Sequence, residues 1–196
     1  MSNTKTRPRP ARRRSSPKTS LWRWVGFIAI PLALAILVAV STVFETGETG
    51  PAEAIQFELP ATDGKPVALD ETLADGDTLL YFSMGVGCDG CFAQIPEIET
   101  AVAERGLNLL SVMVDPAPMV AAEAARFGIQ TPILIDSGAR VSRDYGMVGI
   151  YGHADRPSHS FALVRQDGSI GWVRHYAEMF VPAGALFAEL DASLES

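Results

Sequence analysis

Two cysteines, Cys88 and Cys91, lie three positions apart between a buried-strand pattern and a helical pattern, and the chain has no others. Residues 78–83 (TLLYFS) form a short apolar run that is typical of a strand buried on both faces. A glycine-containing loop follows, and residues 89–105 are predicted to form a helix that ends at Gly106. Cys88 is therefore expected where a buried strand leads directly into a helix.

This position gives the sulfur of Cys88 a chemical role. The thiolate, not the thiol, attacks disulfides, and an ordinary cysteine is only slightly ionised at neutral pH. Backbone N–H groups at the start of a helix stabilise a negative charge, so they favour the thiolate of Cys88. Cys91 follows one turn later and can resolve a mixed disulfide within the same chain. The pattern predicts a redox-active pair.

Two other uses of the cysteine pair are weighed against the redox interpretation. A structural disulfide closing so short a loop constrains the unfolded chain by only about 2 kcal/mol. A zinc site needs two further ligands, and the chain offers only His153, His159 and His175 as histidine ligands. The redox interpretation is favoured, and it needs no metal and no cofactor.

The rest of the chain after residue 53 alternates strand and helix patterns, which predicts an α/β fold. Turn residues Asp63-Gly64 and Asp167-Gly168 each indicate a β-hairpin. The expected strands are 54–59, 67–69, 78–83, 107–114, 133–135, 160–164 and 170–174, and the expected helices are 89–105, 117–127, 137–145 and 181–194.

Charge is distributed very unevenly along the chain. Eight of the 16 basic residues fall within the first 23 positions, which hold no acidic residue. The remaining 173 residues carry eight basic groups against all 23 acidic groups. A domain this acidic repels the phosphate backbone of nucleic acids, so nucleic-acid binding is not expected.

A membrane anchor accounts for the basic start of the chain. Residues 24–44 are 21 consecutive residues without a charge, enough to span roughly 30 Å of hydrocarbon as a helix. The preceding positive charges favour a cytoplasmic N-terminus. We expect a disordered basic tail (1–23), a transmembrane helix (24–44), a linker (45–53) and a domain outside the cytoplasmic membrane (54–196). A cleaved signal peptide is the alternative, but the apolar run is long for one.

From residue 54 onward the sequence resembles a redoxin of the thioredoxin-like superfamily, in the alkyl hydroperoxide reductase/thiol-specific antioxidant branch with membrane-anchored extracytoplasmic members. The segments that carry the resemblance are FELPATDGKPVAL, LLYFSMGVGCDGCFAQIPEIE, DSGARVSRDYGMVG and SFALVRQDGSIGWVR. The resemblance implies a thioredoxin-like fold, a central mixed β-sheet flanked by helices. It also implies a redox disulfide, with Cys88 as attacking thiolate and Cys91 as resolving thiol. Pro96 matches a proline common in the active-site helix of such proteins.

Several residues near the cysteines depart from the pattern of the family. Gly87 stands where thioredoxins usually have Trp. Phe82 and Gln94 stand where relatives often carry a buried carboxylate, so no proton acceptor is assigned. Asp89 lies between the cysteines, and its negative charge is expected to oppose thiolate formation.

Thioredoxin-like folds also place a cis-proline opposite the cysteines. Pro132 is one candidate, but it precedes a strand that we expect to be parallel and central. Pro157 lies closer to the final hairpin, one residue early for the usual spacing, so Ser158 is a candidate for the cis-proline position. His159 would then lie near the sulfurs; the alternative is an ordinary histidine at the start of a strand.

Two other activities remain open. Peroxiredoxins carry a Pro-x-x-x-Thr-x-x-Cys loop and an arginine that handles the peroxide, whereas this chain has Tyr81 and Gly85 at the Pro and Thr positions. Its candidate arginines are Arg140, Arg143 and Arg156. Copper chaperones of thioredoxin-like fold combine two cysteines with a distant His and bind Cu(I), but their cysteines are usually four apart. The favoured activity is thiol–disulfide exchange with protein clients and a membrane or extracytoplasmic electron donor.

Overall fold

The computed structural model describes residues 51–195 of the chain. A five-residue strand lies at the centre of its main β-sheet. This strand is β3 (Thr78–Phe82), and all five of its residues are buried. The other elements are β1 (Glu58–Pro60), β2 (Pro66–Ala68), α1 (Leu69–Ala74), α2 (Asp89–Glu104), β4 (Asn108–Met113), α3 (Ala117–Phe127), β5 (Leu134–Ile135), α4 (Arg140–Asp144), β6 (His159–Val164), β7 (Ile170–Tyr176) and α5 (Ala183–Leu194).

The main sheet has five strands in the order β5-β4-β3-β6-β7. Strand β3 pairs in parallel with β4 and antiparallel with β6, so Tyr81 lies between Ser111 and Phe161. Strand β5 continues the parallel half, and β7 continues the antiparallel half. Strands β1 and β2 form a separate antiparallel pair. The predicted mixed sheet flanked by helices is confirmed.

The two faces of β3 are buried in two separate hydrophobic layers. Successive side chains of a strand point to opposite faces. Leu79 and Tyr81 therefore pack in one layer with α2, α3 and α5, whereas Leu80 and Phe82 pack in the other with β1, α1 and α4. Burial on both faces explains why this run is apolar throughout and not alternating.

Three details differ from the sequence expectations. Helix α1 was not expected, because its six residues are too few for a clear helical period. The final hairpin is longer than expected, since β6 already begins at His159 and β7 extends to Tyr176. Strand β5 is parallel as expected but lies at the edge of the sheet, because both sides of β3 are occupied by β4 and β6. The expectation of a central strand after Pro132 was wrong.

The predicted transmembrane helix (24–44) and basic tail (1–23) lie outside the described residues, as does most of the linker (45–53). None of the helices within residues 51–195 combines the length and the hydropathy that crossing a membrane requires.

The two-sided burial of β3 predicts a large stability effect at its centre. Leu80→Ala should lower the free energy of unfolding by about 2–5 kcal/mol, because Leu80 is fully buried and its removal leaves a cavity. The matched control, Leu194→Ala, truncates an exposed side chain at the end of α5 and should change it by less than about 0.5 kcal/mol. Urea unfolding of both oxidised variants measures the difference, and equal losses would contradict this account of the core.

Candidate active site

The cysteine pair lies at the first turn of α2. Cys88 is the N-cap residue of this helix, with φ −116° and ψ 91°, and its Sγ accepts a hydrogen bond of 3.2 Å from the backbone N–H of Cys91. The two residues form a disulfide, with their Cα atoms 5.3 Å apart. Cys88 is 5% exposed and Cys91 is fully buried. The predicted position of Cys88 at the start of a helix is confirmed; the catalytic roles stay predictions.

Two positions next to the cysteines, Gly87 and Gly90, have no room or no suitable backbone conformation for a larger residue. Gly87 has φ +96°, a conformation that L side chains rarely adopt, so a Trp at this position would be strained. At Gly90 a Cβ atom would lie 2.6 Å from the carbonyl oxygen of Met179. The segment before α5 therefore packs directly against the first turn of α2, beside the cysteines.

The charge of Asp89 has a partner. Asp89 forms an ion pair with Arg126 of α3, which also pairs with Glu123. The Asp89 side chain is 74% exposed, so solvent further weakens its field at the sulfur. Arg126, which lies 37 residues from Asp89 in the sequence, therefore reduces the expected repulsion between Asp89 and a Cys88 thiolate.

Gln94 and His159 meet beneath the cysteine turn. His159 is fully buried, and its Nε2 lies 3.2 Å from Oε1 of Gln94. Its Nδ1 lies 3.0 Å from the hydroxyl of Tyr81, which is 3.1 Å from the carbonyl oxygen of Cys91. Gln94 thus contacts His159 from the helix that carries Cys91, and a single hydroxyl separates His159 from the Cys91 main chain.

Burial sets the protonation state of His159. Removing an imidazolium from water disfavours its charge, which lowers the pKa of His159 to about 4. At neutral pH the ring is therefore neutral in the oxidised protein.

An ion pair that sequence reasoning missed holds the loop before Cys88. Asp115, directly beyond β4, accepts hydrogen bonds of 2.9 Å from Arg156 on each carboxylate oxygen and of 2.8 Å from the backbone N–H of Val86. Arg156 also donates to the carbonyl oxygen of Met84. Because β3 and β4 are parallel, their carboxyl ends meet at one edge of the sheet, and this rule could have indicated Asp115.

The same ion pair packs closely against Gly85. A Cβ atom at Gly85 would overlap Oδ2 of Asp115, so a Thr does not fit there without displacing the carboxylate. The three candidate arginines are all engaged: Arg156 with Asp115, Arg140 with Asp144, and Arg143 with the carbonyl oxygen of Gly138.

The proline candidates and Ser158 have trans peptide bonds. Pro96 lies within α2 as expected. No peptide bond in residues 51–195 is cis, so neither Pro132 nor Pro157 provides the expected cis-proline. Pro157 instead forms a β-bridge with Val148, and Ser158 donates from its hydroxyl to the carbonyl oxygen of Ile150. These contacts hold the segment extended as it enters β6.

Among the described residues, no three His, Cys, Asp or Glu side chains are grouped closely enough to hold a metal ion. Both ring nitrogens of His159 face hydrogen-bond partners, Tyr81 and Gln94.

A mixed sheet, flanking helices and a C-x-x-C disulfide at a helix start define a thioredoxin-like class of protein. Residues 45–178 match the Redoxin family, and the chain belongs to that family. It is 27% identical over 122 residues to the thiol-disulfide oxidoreductase ResA of Halalkalibacterium halodurans, covering 60% of this chain and 64% of the relative, less than two thirds of its length.

Solved structures share the fold. The peroxidoxin BcpB of Mycobacterium tuberculosis superposes with a TM-score of 0.61 at 23% identity, over 75% of this chain and 96% of that one. A protein from Bacteroides thetaiotaomicron, described as a putative protein disulfide isomerase, gives 0.57 at 21% identity, over 76% and 91%. The fold is therefore shared by a protein named a peroxidoxin and by one described as a disulfide isomerase, and it does not by itself choose between these activities.

The ion pair at the loop predicts a measurable effect. Asp115→Ala should lower the free energy of unfolding by about 1–3 kcal/mol, since it leaves the Val86 N–H and Arg156 without their partner. The matched control, Asp144→Ala, breaks the exposed pair with Arg140 and should change it by less than about 1 kcal/mol. Urea unfolding measures both, and hydrogen exchange at the Val86 amide should accelerate only in the first variant. Unchanged exchange there would contradict the role of Asp115.

The lowered pKa of His159 predicts a pH dependence of stability. The unfolded histidine has a pKa near 6.5 and takes up a proton before the folded one does, so stability falls as the pH drops from about 6.5 to 4. His159→Gln removes this contribution, which amounts to at most roughly 3 kcal/mol at the acid end. Denaturant unfolding of both proteins at several pH values gives the difference between the two curves. A difference that does not vary over this range would contradict the assignment.

Proposed function

We propose that the protein is a thiol–disulfide oxidoreductase that acts on protein thiols or disulfides through Cys88 and Cys91. The observation that carries the proposal is the disulfide itself: one sulfur caps the start of α2 while the other is buried one turn inside it. Family membership and the ResA relative support the same activity.

The proposed cycle begins with the reduced pair. The thiolate of Cys88 attacks a client disulfide, which breaks the client S–S bond and releases one client thiolate. Cys91 then gives up its thiol proton and attacks Cys88, releasing the second client thiolate and forming the Cys88–Cys91 disulfide. Two electrons pass from the cysteine pair to the client. The reverse sequence oxidises a client dithiol, and the reduction potentials decide the direction.

Burial supports the proposal that Cys88 attacks first and Cys91 resolves. Cys88 keeps a small exposed surface and lies at the positive end of the helix, whereas Cys91 has none. A client sulfur therefore reaches Cys88 first, and Cys91 acts only on the mixed disulfide already formed within the protein.

We place this activity outside the cytoplasmic membrane, with the chain anchored through residues 24–44. The uncharged run and the basic residues before it support this topology. A membrane or extracytoplasmic electron donor is required to return the pair to the dithiol when the protein acts as a reductant.

Peroxidase activity is the alternative, and the surroundings of Gly85 argue against it. The loop lacks the hydroxyl of the peroxiredoxin pattern, and the Asp115 carboxylate fills the adjacent space. Arg156, the candidate beside the loop, is already paired. A Cu(I) chaperone is a further alternative, in which His159 would have to exchange its contacts with Tyr81 and Gln94 for the metal.

Trapping in cells tests the proposed function. In the full-length protein, Cys91→Ser should accumulate mixed disulfides with other proteins, because Cys88 still attacks but nothing resolves the product. The matched control, Cys88→Ser, leaves a buried thiol and should accumulate none. Non-reducing electrophoresis detects the adducts. Equal trapping by both variants, or by neither, would overturn the proposal, and rapid consumption of hydrogen peroxide by the wild type would support the peroxidase instead.

A further inference from the structure

Three polar side chains form a buried line behind Cys91: Tyr81 of β3, His159 of β6 and Gln94 of α2, all fully buried. The oxidoreductase cycle above leaves open which group inside the fold takes up a proton when the disulfide is reduced. The hydrogen bonds among these three side chains identify a candidate for that group. This inference rests on the proposed function.

The backbone of Val181 determines which way the Gln94 amide faces. Its Nε2 donates to the carbonyl oxygen of Val181 at 3.0 Å, and its Oε1 accepts from the N–H of Val181 at 2.7 Å. Reversing the amide would break both bonds. Oε1 is therefore the atom that faces Nε2 of His159 at 3.2 Å, and since this oxygen can only accept, Nε2 of His159 carries a hydrogen.

The Tyr81 hydroxyl has one hydrogen, and two acceptors lie within hydrogen-bond distance of it. These are Nδ1 of His159 at 3.0 Å and the carbonyl oxygen of Cys91 at 3.1 Å. The Ser83 hydroxyl is also nearby but makes no hydrogen bond. A neutral imidazole with its hydrogen on Nε2 has a bare Nδ1, which takes the hydrogen of Tyr81 and leaves none for Cys91. An imidazolium donates from Nδ1 to the Tyr81 oxygen, which frees the hydroxyl hydrogen for Cys91. All three contacts are made at once only when the ring carries two hydrogens.

Charge at the cysteines decides which of these states is favoured. The disulfide is neutral, and burial then keeps the ring of His159 neutral, with a pKa of about 4. Reduction creates a thiolate at the start of α2, and an opposite charge in a low-dielectric interior favours the imidazolium. Tyr176 of β7 also packs on the ring, and its hydroxyl donates to Glu189 while its ring lies near Arg174. Both of these charged groups are present in either redox state.

We propose that His159 is a proton-holding positioning residue of the redox site, which takes up a proton when the Cys88–Cys91 disulfide is reduced and acts on Cys91 through Tyr81. The step balances. Two electrons from a donor dithiol break the S–S bond, and the two protons released by that dithiol go to Cys91 and to His159. The products are a Cys88 thiolate, a Cys91 thiol and an imidazolium, so the net charge of the site does not change. By linkage, protonation of His159 favours the reduced pair to the same extent.

Nitrogen NMR of the histidine rings tests the proposal directly. The full-length chain, labelled with ¹⁵N-histidine and held in detergent micelles, has only three histidines, and His153 and His175 serve as internal references. Each ring is titrated with pH in the oxidised protein and in the protein kept reduced by a phosphine. We expect His159 in the oxidised form to carry its hydrogen on Nε2 alone. In the reduced form it should become protonated at a pH higher by about three units, near neutral pH, because the proposed step leaves the ring as an imidazolium. A ring of His159 that stays neutral at pH 7 in the reduced form would overturn the proposal.

Two variants test whether the hydroxyl of Tyr81, and not the packing of its ring, couples His159 to the cysteine pair; this coupling is called the hydroxyl relay. Tyr81→Phe keeps the ring, which stacks on Phe161, and removes the hydroxyl, so the redox-dependent shift of His159 should shrink. Tyr176→Phe is the matched control, because its ring packs 6.4 Å from that of His159 without bonding to it, and the shift should persist. A full shift in Tyr81→Phe would overturn the relay, and the wild-type titration decides the main point even if a variant does not fold.

A failure of the inference about His159 can be distinguished from a failure of the proposed oxidoreductase function. Wild-type protein that traps clients but shows no redox-dependent titration of His159 overturns this inference alone. Protein that traps no clients overturns the oxidoreductase activity.

Discussion

The start of α2 is the feature on which the rest of the structure depends. The unpaired N–H groups of a first helical turn stabilise negative charge, and Cys88 occupies the position that receives them. This geometry requires β3 to end a short loop, residues 83–88, before α2 begins, and β3 is held in place by pairing on both edges and burial on both faces. The sheet and its two hydrophobic layers thus place the sulfur of Cys88 at the N-terminal end of α2.

The groups that hold this turn come from distant parts of the chain. Asp115 and Arg156 hold the loop before Cys88 through main-chain hydrogen bonds, and the segment around Met179 packs against Gly90 on the other side. None of these groups is close to the cysteines in sequence. Their common feature is that they lie at or beyond strand ends, where the topology of a mixed sheet brings loops together.

Within the buried polar line of Tyr81, His159 and Gln94, only Gln94 stands at a position where the family resemblance implies a carboxylate. A neutral amide cannot accept a proton, so replacing the carboxylate by Gln94 removes that acceptor from its usual position. Gln94 instead orients an imidazole, and the imidazole contacts Cys91 through one hydroxyl. In a low-dielectric interior such a chain is strongly affected by a nearby charge, which is the physical basis for coupling it to the redox state of the pair.

The order of strands and helices apart from α1, the position of Cys88 at a helix start and the family resemblance could be predicted from the sequence, because they depend on local periodicity and on one short motif. The sequence did not indicate the edge position of β5, the counter-charge of Arg126 on Asp89, the Asp115–Arg156 pair or the contacts of His159. Each of these depends on which distant segments the sheet brings into contact. Periodicity along the chain carries no such information, so only the tertiary structure decided them.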